Sequence, residues 1–270
     1  MNTARTSWQD NTLRCTKINH RKFMKVSIIT VTYNAESTIR RTMESVAFQT
    51  CSAEHIIIDG ASKDRTVDIA KEYNATVLSE PDRGLYYAMN KAFALATGDY
   101  ICFLNAGDTL HSPFIIEHIT QAVEQHQSSS GNADIGIIYG NTDIVDSEGK
   151  FLRPRHLTPP DNLTWRSFRQ GMLVCHQAFY VNRQIALAYD TSYRFSADFD
   201  WCIRCMQEGE KRGMHNIYIK ETIADYLSEG MTTANHKASL VERFRIMSRH
   251  YGLLSTILYH FWFILRTILR

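Results

Sequence analysis

Polar side chains that can transfer protons or bind charged groups follow four apolar runs of the sequence. The runs are "VSIITVT", "HIIID", "ATVLSE" and "DYICFL", and the polar clusters at their ends are residues 33–34, 59–60, 80–84 and 105–108. A carboxylate can accept a proton from a reacting hydroxyl. Carboxylate and amide oxygens also suit a hard cation such as Mg²⁺, and a guanidinium matches phosphate oxygens. This chemistry requires the clusters to meet in space.

The order of the apolar runs indicates how they meet. Each run has the length and β-branched character of a buried parallel strand, and a helical pattern follows each one. Alternating strands and helices favour βαβ units with right-handed crossovers and a mostly parallel, Rossmann-like sheet flanked by helices. The carboxyl ends of such strands lie along one edge of the sheet, where ligands bind. The sequence therefore predicts an α/β fold with one polar cleft.

The later part of the chain is less regular. The segment "IGIIYGNTDIV" is predicted to be a fifth strand and "MLVCHQAFYV" a further one, while "HNIYIKETIADYL" has the pattern of a strand pair. The segment "DFDWCIRCMQ" is predicted to be a helix. We expect a flexible N-terminal arm over residues 1–24, a main domain over residues 25–235 and a helical C-terminal segment over residues 236–270.

Composition excludes several classes of protein. The chain has 270 residues, 44% of them hydrophobic, and a formal net charge of +2, which rules out a disordered chain and gives no footprint for nucleic acid. Its six cysteines have irregular spacing, which is not the pattern expected of a disulfide framework. The first 24 residues hold no apolar stretch typical of a secretory signal. We therefore expect a cytoplasmic protein.

Several catalytic motifs are missing from the sequence. It contains no G-x-G-x-x-G fingerprint, Walker A loop, H-E-x-x-H helix or G-x-S-x-G elbow, which weighs against dehydrogenases, P-loop NTPases, zincins and α/β-hydrolases. Cys202 and Cys205 form one C-x-x-C pair inside a predicted helix. With no second pair downstream, we interpret them as packing residues.

Four segments, in this order, resemble a known family. They are "VSIITVTYNAE", "IIIDGASKDRT", "EPDRGLYYAMNKAFALATGDYICFLNAGD" and "SADFDWCIR". Together they are similar to the family 2 glycosyltransferases, which have the GT-A fold, and most of all to bacterial enzymes that build surface polysaccharides. The resemblance covers roughly residues 25–233. It implies binding of a nucleotide-diphosphate sugar.

The resemblance also implies which residues contact the donor. Those expected at the nucleobase, ribose and diphosphate are Thr32, Tyr33, Glu36, Asp59, Asp82 and Arg83. Asp59 would accept a hydrogen bond from the edge of a uracil-type base, and Arg83 would approach the ribose or diphosphate. The alternatives are a simple turn at Asp59 and an exposed turn arginine at Arg83.

The family's metal motif, D-x-D or a variant, follows the fourth strand. Here the segment is "NAGD", so that only Asp108 keeps a carboxylate and Asn105 offers an amide oxygen. The resemblance implies a divalent cation, Mg²⁺ or Mn²⁺, with Asp108 as its ligand. One carboxylate, one amide and substrate phosphates can suffice for such a cation. The alternative role for Asp108 is to cap the following helix.

Asp198 matches the family's catalytic base, although Ala197 replaces the glutamate that normally precedes it. A base is needed because the acceptor hydroxyl must lose its proton as it attacks the anomeric carbon. Asp200 is the second candidate, and both aspartates also suit the first turn of a helix. His176 is either a polar contact to the acceptor or diphosphate, or a core residue. The segment "SEGMTT" resembles a loop that folds over the diphosphate.

The resulting hypothesis is that the protein is an inverting glycosyltransferase. It would transfer a sugar from a UDP-linked donor to a glycan or to a lipid-linked acceptor. The alternatives are a nucleotide-sugar-binding GT-A scaffold with weak or no catalysis, and a sugar nucleotidyltransferase. The latter enzymes carry a glycine-rich basic loop after the first strand, where this chain has "TYNAEST".

The C-terminal segment "LLSTILYHFWFILRTILR" predicts an amphipathic helix. Its polar positions recur at helical spacing and interrupt the apolar run that a membrane span requires. An amphipathic helix with basic residues at its end suits the interface of a bilayer, at the inner face of the plasma membrane. The alternative is a terminal helix packed on the protein core or on a second subunit.

Overall fold

A computed structural model of the chain describes residues 24–129, 134–228 and 236–268. Apart from Met24, the predicted N-terminal arm lies outside the described residues, and the predicted domain limits stay predictions. The described strands are β1 (Val26–Thr32), β2 (Glu54–Asp59), β3 (Thr76–Ser79), β4 (Tyr100–Phe103), β5 (Thr109–Leu110), β6 (Ile135–Val145), β7 (Phe151–Pro154), β8 (Phe179–Asn182) and β9 (His215–Leu227). The described α-helices are α1 (Ile39–Ala47), α2 (Thr66–Ala70), α3 (Leu85–Leu95), α4 (Ile115–Ser129), α5 (Ala197–Lys211), α6 (His236–Tyr251) and α7 (Leu253–Ile268).

The described strands form one sheet in the order β3-β2-β1-β4-β8-β6-β9-β5, with β7 paired to β6. The first four strands are parallel, as the βαβ pattern predicts. Beyond β4 the sheet is mixed, because β8 runs antiparallel between β4 and β6, while β9 pairs parallel with β6. The strand order places β1 and β4 side by side, although three helices and two strands separate them in sequence. Their shared carboxyl edge is a topological switch point, where ligands of α/β sheets bind.

Alternation along the central strands explains how helices cover both faces of the sheet. In β2, Ile56 and Ile58 belong to the large hydrophobic cluster, whereas Ile57 belongs to a smaller cluster with Ile39 and Met43 of α1. Successive strand residues point to opposite faces, so three isoleucines in a row require an apolar layer on each side. The predicted α/β class with flanking helices is confirmed.

Two predicted elements differ from the structure. The strand expected in residues 172–181 is limited to β8, because residues His176–Ala178 form a 3-10 turn. The strand pair expected in residues 215–227 is wrong, because β9 is one continuous strand. Its polar middle, Lys220 and Glu221, resembles a turn in the sequence, but irregularities in the register with β6 accommodate it.

Cys202 and Cys205 are both fully buried in α5, as packing residues should be. Burial raises the pKa of the Cys205 thiol to about 12, so the thiol is protonated at neutral pH. The interpretation of this C-x-x-C pair as helix packing is confirmed. The predicted C-terminal helix is confirmed as α7. Among the described helices, none combines the length and apolar character that crossing a bilayer requires.

Gly98 allows the chain to pass close to β1 before entering β4. Its N–H donates to Ser27 Oγ at 2.8 Å, and a Cβ at this position would lie 2.6 Å from both the nitrogen and the Oγ of Ser27. We expect Gly98→Ala to lower the free energy of unfolding by about 3 kcal/mol, because backbone of a central strand cannot move aside. Urea unfolding measures this loss. Gly213→Ala is the control, since its Cβ meets open space and only its positive φ costs about 1 kcal/mol. Equal losses in the two variants would contradict the packing argument.

Candidate active site

A cavity of about 760 Å³ opens at the carboxyl ends of β1 and β4. This volume lies within the range of small-molecule pockets, roughly 300–1,000 Å³. The sequence predicts one polar cleft at this edge of the sheet, and the cavity lies there. Seven of the ten predicted site residues line it: Thr32, Tyr33, Asp82, Asn105, Asp108, His176 and Asp198.

Asp198 lies in the first turn of α5 and lines the cavity. Its Oδ2 atom lies 3.3 Å from His176 Nδ1, and its Oδ1 atom accepts a hydrogen bond from the Tyr86 hydroxyl at 3.3 Å. Burial opposes ionisation of the carboxyl, but the hydrogen bond from His176 and the positive charge of Arg243 outweigh it and lower the pKa of Asp198. The dipole of α5 favours the same charged form. Asp198 is therefore a carboxylate at neutral pH, as a general base must be.

Asn105 orients the imidazole of His176. Its Nδ2 atom lies 3.2 Å from His176 Nε2. An amide N–H can only donate, so Nε2 accepts, and we assign the ring proton to Nδ1, which faces Asp198. This arrangement leaves Asn105 Oδ1 with no hydrogen-bond partner among the described residues. Asn105, His176 and Asp198 thus form a chain of contacts that holds the carboxylate in place.

Three buried oxygens at the cavity lack hydrogen-bond partners within the described part of the chain. They are Thr32 Oγ1, Asn105 Oδ1 and Asp82 Oδ2. The other oxygen of Asp82 lies 2.5 Å from Lys91 Nζ, and this ion pair fixes the carboxylate. Buried polar atoms nearly always have a partner. Three orphaned oxygens on one cavity therefore indicate a polar ligand that supplies hydroxyl, N–H or cation partners.

Asp108 lies at the cavity but is almost fully buried, with 3% of its surface exposed. Its Oδ2 atom accepts a hydrogen bond from Gln177 Nε2 at 2.7 Å, and its Oδ1 atom accepts one from the Leu227 N–H at 2.9 Å. Burial raises the pKa of Asp108 to about 6, despite these two hydrogen bonds. Both carboxylate oxygens of Asp108 already accept hydrogen bonds from the protein, so a cation could bind only to the lone pairs that remain.

Asp59 and Glu36 do not line the cavity and instead shape the loops beside it. The Asp59 carboxylate is fully buried and accepts hydrogen bonds from the Ser62 N–H at 2.9 Å and the Ser79 hydroxyl at 2.6 Å. The Ser62 hydroxyl in turn accepts a hydrogen bond from the Asn34 N–H at 2.7 Å, and Asn34 directly follows Tyr33. Glu36 accepts one from the Arg65 N–H. The direct nucleotide contacts predicted for Asp59 and Glu36 stay predictions.

Arg83 is exposed and lies between two residues that line the cavity, Asp82 and Gly84. Tyr33 lies at the cavity with 62% of its surface exposed, so its ring can stack on a planar group that enters. Of the predicted loop in residues 228–233, only Ser228 lies in the described residues.

Asp200, the alternative base, faces away from the cavity. Its side chain is fully buried and lies 2.5 Å from Arg204 Nε and 2.8 Å from His250 Nε2. Arg204 lies one turn further along α5, whereas His250 lies on α6, so the contact with His250 joins the two helices. Asp200 is therefore a structural ion-pair residue, and Asp198 is the aspartate of α5 that lines the cavity.

Sequence reasoning missed Tyr86 and Lys91, which lie on α3 and contact Asp198 and Asp82. Lys91 lies on the helix that begins shortly after Asp82, so local spacing could have suggested this pair. Tyr86 contacts a residue 112 positions away, and nothing in the local sequence signals such a contact.

His111, Asp143 and Asp225 form a second group whose ligand atoms lie within 4.8 Å of one another. Asp143 and Asp225 are neighbours in the register of β6 and β9, and His111 Nδ1 lies 2.7 Å from Asp225 Oδ1. This group could hold a metal ion. None of the three lines the cavity, so this group is separate from the cavity that holds Asp198.

The chain belongs to glycosyl transferase family 2, whose family model matches residues 27–188. A PGL/p-HBAD biosynthesis glycosyltransferase from Mycobacterium bovis (strain BCG / Pasteur 1173P2) is 30% identical over 189 residues, which cover 66% of this chain and 68% of that protein. The amylovoran biosynthesis glycosyltransferase AmsB from Erwinia amylovora is 27% identical over 238 residues, which cover 82% and 75%. The chain is a glycosyltransferase, as the four motifs predict.

Two solved structures share the fold. TarS 1–349 of S. aureus, in complex with UDP, matches with a TM-score of 0.64 at 15% identity and covers 83% of this chain, while this chain spans 64% of TarS 1–349. The mannosyltransferase PcManGT from Pyrobaculum calidifontis, in complex with GDP-Man and Mn²⁺, matches with a TM-score of 0.57 at 14% identity. The match covers 94% of this chain and 77% of the PcManGT chain. The predicted GT-A fold is confirmed.

Proposed function

We propose that this chain is an inverting glycosyltransferase that moves a sugar from a nucleotide-diphosphate sugar, UDP-linked, to a hydroxyl of a glycan or lipid-linked acceptor. The relatives named for PGL/p-HBAD and amylovoran biosynthesis support a role in polysaccharide or glycolipid assembly. The observation that carries the proposal is the position of the Asp198 carboxylate, which contacts His176 and Tyr86 and lines the same cavity as Tyr33 and the orphaned oxygens.

The donor binds in the cavity with its base against the exposed ring of Tyr33. Thr32 Oγ1 and Asp82 Oδ2 serve as partners for base or ribose groups, which relieves their buried, unpartnered state. Arg83, at the margin, offers its guanidinium to the diphosphate. The complexes of TarS with UDP and of PcManGT with GDP-Man support a nucleotide-sugar ligand on this fold.

Asp198 acts as the general base. It accepts the proton of the acceptor hydroxyl while that oxygen forms a bond to the anomeric carbon. The bond from the anomeric carbon to the diphosphate oxygen breaks, and the nucleoside diphosphate leaves with the electron pair. Attack from the side opposite the leaving group inverts the anomeric configuration. Tyr86 and His176 are positioning residues, because they contact the carboxylate from two sides.

A divalent cation, Mg²⁺ or Mn²⁺, fits this site with few ligands from the protein. Asn105 Oδ1 is an unpartnered hard oxygen at the cavity, and Asp108 can share a lone pair that its hydrogen bonds leave free. When bound, the cation neutralises charge on the leaving diphosphate. Asn105 and Asp108 would therefore hold the cation, and the donor phosphates and water would supply its other ligands.

Tyr33→Ala is expected to weaken UDP binding about 5- to 150-fold, because base–aromatic stacking contributes about 1–3 kcal/mol. Isothermal calorimetry with UDP, with and without Mn²⁺, measures the loss. Tyr87→Ala is the matched control, since Tyr87 is also exposed, lies on α3 and does not line the cavity. The donor assignment is wrong if wild type binds no UDP in either condition, or if both variants bind it as wild type does.

We place the reaction in the cytoplasm, peripheral to the inner face of the plasma membrane. A lipid-linked acceptor presents its sugar there, at a distance from the bilayer that a surface-bound enzyme can reach.

A further inference from the structure

Helix α7 packs on the protein through its polar side. Thr256 is fully buried, and Tyr259 and Phe263 pack against the main hydrophobic cluster. The ring of His260 lies 5.0 Å from that of Phe244 on α6, measured between ring centroids. These residues fall on one stripe of the helix, three or four positions apart. The rotation of α7 about its axis is therefore fixed by contacts with the rest of the chain.

The opposite face of α7 is apolar and turned to solvent. Its exposed fractions reach 74% at Leu254, 62% at Leu258, 62% at Phe261 and 58% at Ile264. A terminal helix that only completed the core would bury this face and expose the polar one. In α7 the orientation is reversed, and the apolar face is exposed to water. This exposure is unfavourable, and a partner surface that covered the face would remove it. A contiguous exposed apolar face of this kind marks an interaction site.

The charge of the segment that contains α7 points to one kind of partner. Residues 236–270 contain six of the 30 Lys and Arg residues but one of the 28 Asp and Glu residues, so this segment carries +5 and the remaining chain −3. The described part of α7 contains no acidic residue, and Arg266 lies in its last turn. Lys237, Arg245 and Arg249 are exposed on α6.

We propose that the exposed face of α7 inserts into the surface of a bilayer that contains anionic lipids. An apolar face with Phe261 and Trp262, with Arg266 against the Trp262 ring and on a segment rich in basic residues, has the composition of helices that lie in the bilayer interface. Basic residues near the surface add attraction to anionic headgroups. A second copy of the chain is a poorer occupant, because a twofold contact would bring two segments of charge +5 together.

The helix lies along the membrane surface and does not cross it. Like the other described helices, α7 does not combine the length and apolar character that a membrane span requires. Its polar face is also held by Thr256 and Tyr259 against the protein, so that face cannot enter lipid. Insertion to a depth of about 5–10 Å covers the apolar face and leaves the protein on the aqueous side.

Flotation of the full chain with lipid vesicles tests this binding without relying on enzymatic activity. Wild type is expected to float with vesicles of phosphatidylcholine and phosphatidylglycerol, and to bind more weakly when phosphatidylglycerol is omitted or salt is raised. The double variant Leu258→Gln/Phe261→Gln is expected to bind at least tenfold more weakly, because two large apolar side chains no longer enter the interface. Both residues are exposed, so circular dichroism should show an unchanged fold.

Leu152→Gln is the matched control, because Leu152 is half exposed on β7 and does not belong to α7. It should bind vesicles as wild type does. Vesicle binding that survives the double variant, or that wild type lacks, would overturn the membrane assignment. So would a wild-type dimer in sedimentation that the double variant converts to monomer without any vesicle binding. Failure here would remove the proposed membrane location but leave UDP binding in the cavity untouched, so the membrane proposal and the donor proposal fail separately.

Discussion

Replacing Asp198 with asparagine is expected to lower the rate of sugar transfer about 10²- to 10⁴-fold, the usual contribution of a general base. The amide has nearly the same shape but cannot accept the proton of the acceptor hydroxyl. UDP affinity should stay close to that of wild type, because the carboxylate serves the acceptor side. Turnover of a nucleotide-sugar panel, followed by release of nucleoside diphosphate, measures the rate, and calorimetry with UDP measures the affinity.

Glu208→Gln is the control for loss of a carboxylate from the same helix. Glu208 pairs with Arg212 at the protein surface, and such exposed pairs have little effect on stability. Its turnover should equal that of wild type. Full turnover in Asp198→Asn would refute the assignment of the base. A loss of UDP affinity equal to the loss of rate would instead make Asp198 a donor-binding residue.

Asp200→Asn is expected to lower the free energy of unfolding by about 3–5 kcal/mol at neutral pH, the usual cost of removing one partner from a buried ion pair. The variant leaves Arg204 and His250 facing an uncharged, buried amide. Denaturant unfolding measures the loss. Asp161→Asn is the control, because Asp161 pairs with Lys220 and both side chains are largely exposed, so the loss should be at most about 1 kcal/mol.

The pH dependence of this effect has a definite sign. Burial opposes ionisation, but the hydrogen bonds from His250 and Arg204 outweigh it and lower the pKa of Asp200 in the folded chain. A depressed pKa stabilises the fold above the ordinary pKa of aspartate, and this stability is lost as pH falls through the lower folded value. Wild type and Asp200→Asn should therefore converge in stability at acid pH. If Asp200→Asn were as stable as wild type at pH 7, the ion pairs of Asp200 would not stabilise the fold and this role would be wrong.

The parallel half of the fold could be predicted from the sequence because its signals are local. Each of β1, β2 and β4 is a short apolar run followed by polar residues. Tyr33 directly follows β1, and Asn105 lies two residues after the end of β4. Parallel strands bring their carboxyl ends together by geometry alone. Once the strands were identified, it followed that these residues should share one cavity, and the structure agrees.

The other half could not be predicted, because its pairings join distant segments. Nothing near β8 indicates that it runs antiparallel between β4 and β6, and the polar residues of β9 imitate a turn. The same limit applies within the site. Asp108 looks like a free metal ligand in the sequence, whereas Gln177 and the Leu227 N–H, far along the chain, occupy its oxygens.

The amphipathic pattern of α7 shows a third limit of prediction from the sequence. Periodicity identifies two faces but does not say which one meets the protein. Buried Thr256 and exposed Leu258 show that the polar stripe packs inward. This orientation depends on the groove that α6 and the core offer, which is a property of the folded chain.

The structure of the Asp198→Asn variant bound to its UDP-sugar tests the central claim most directly. We expect the base to stack on Tyr33 and the anomeric carbon to face residue 198, with the diphosphate on the far side of the sugar ring. A donor bound away from this cavity, or one whose diphosphate lies between the sugar and residue 198, would contradict it.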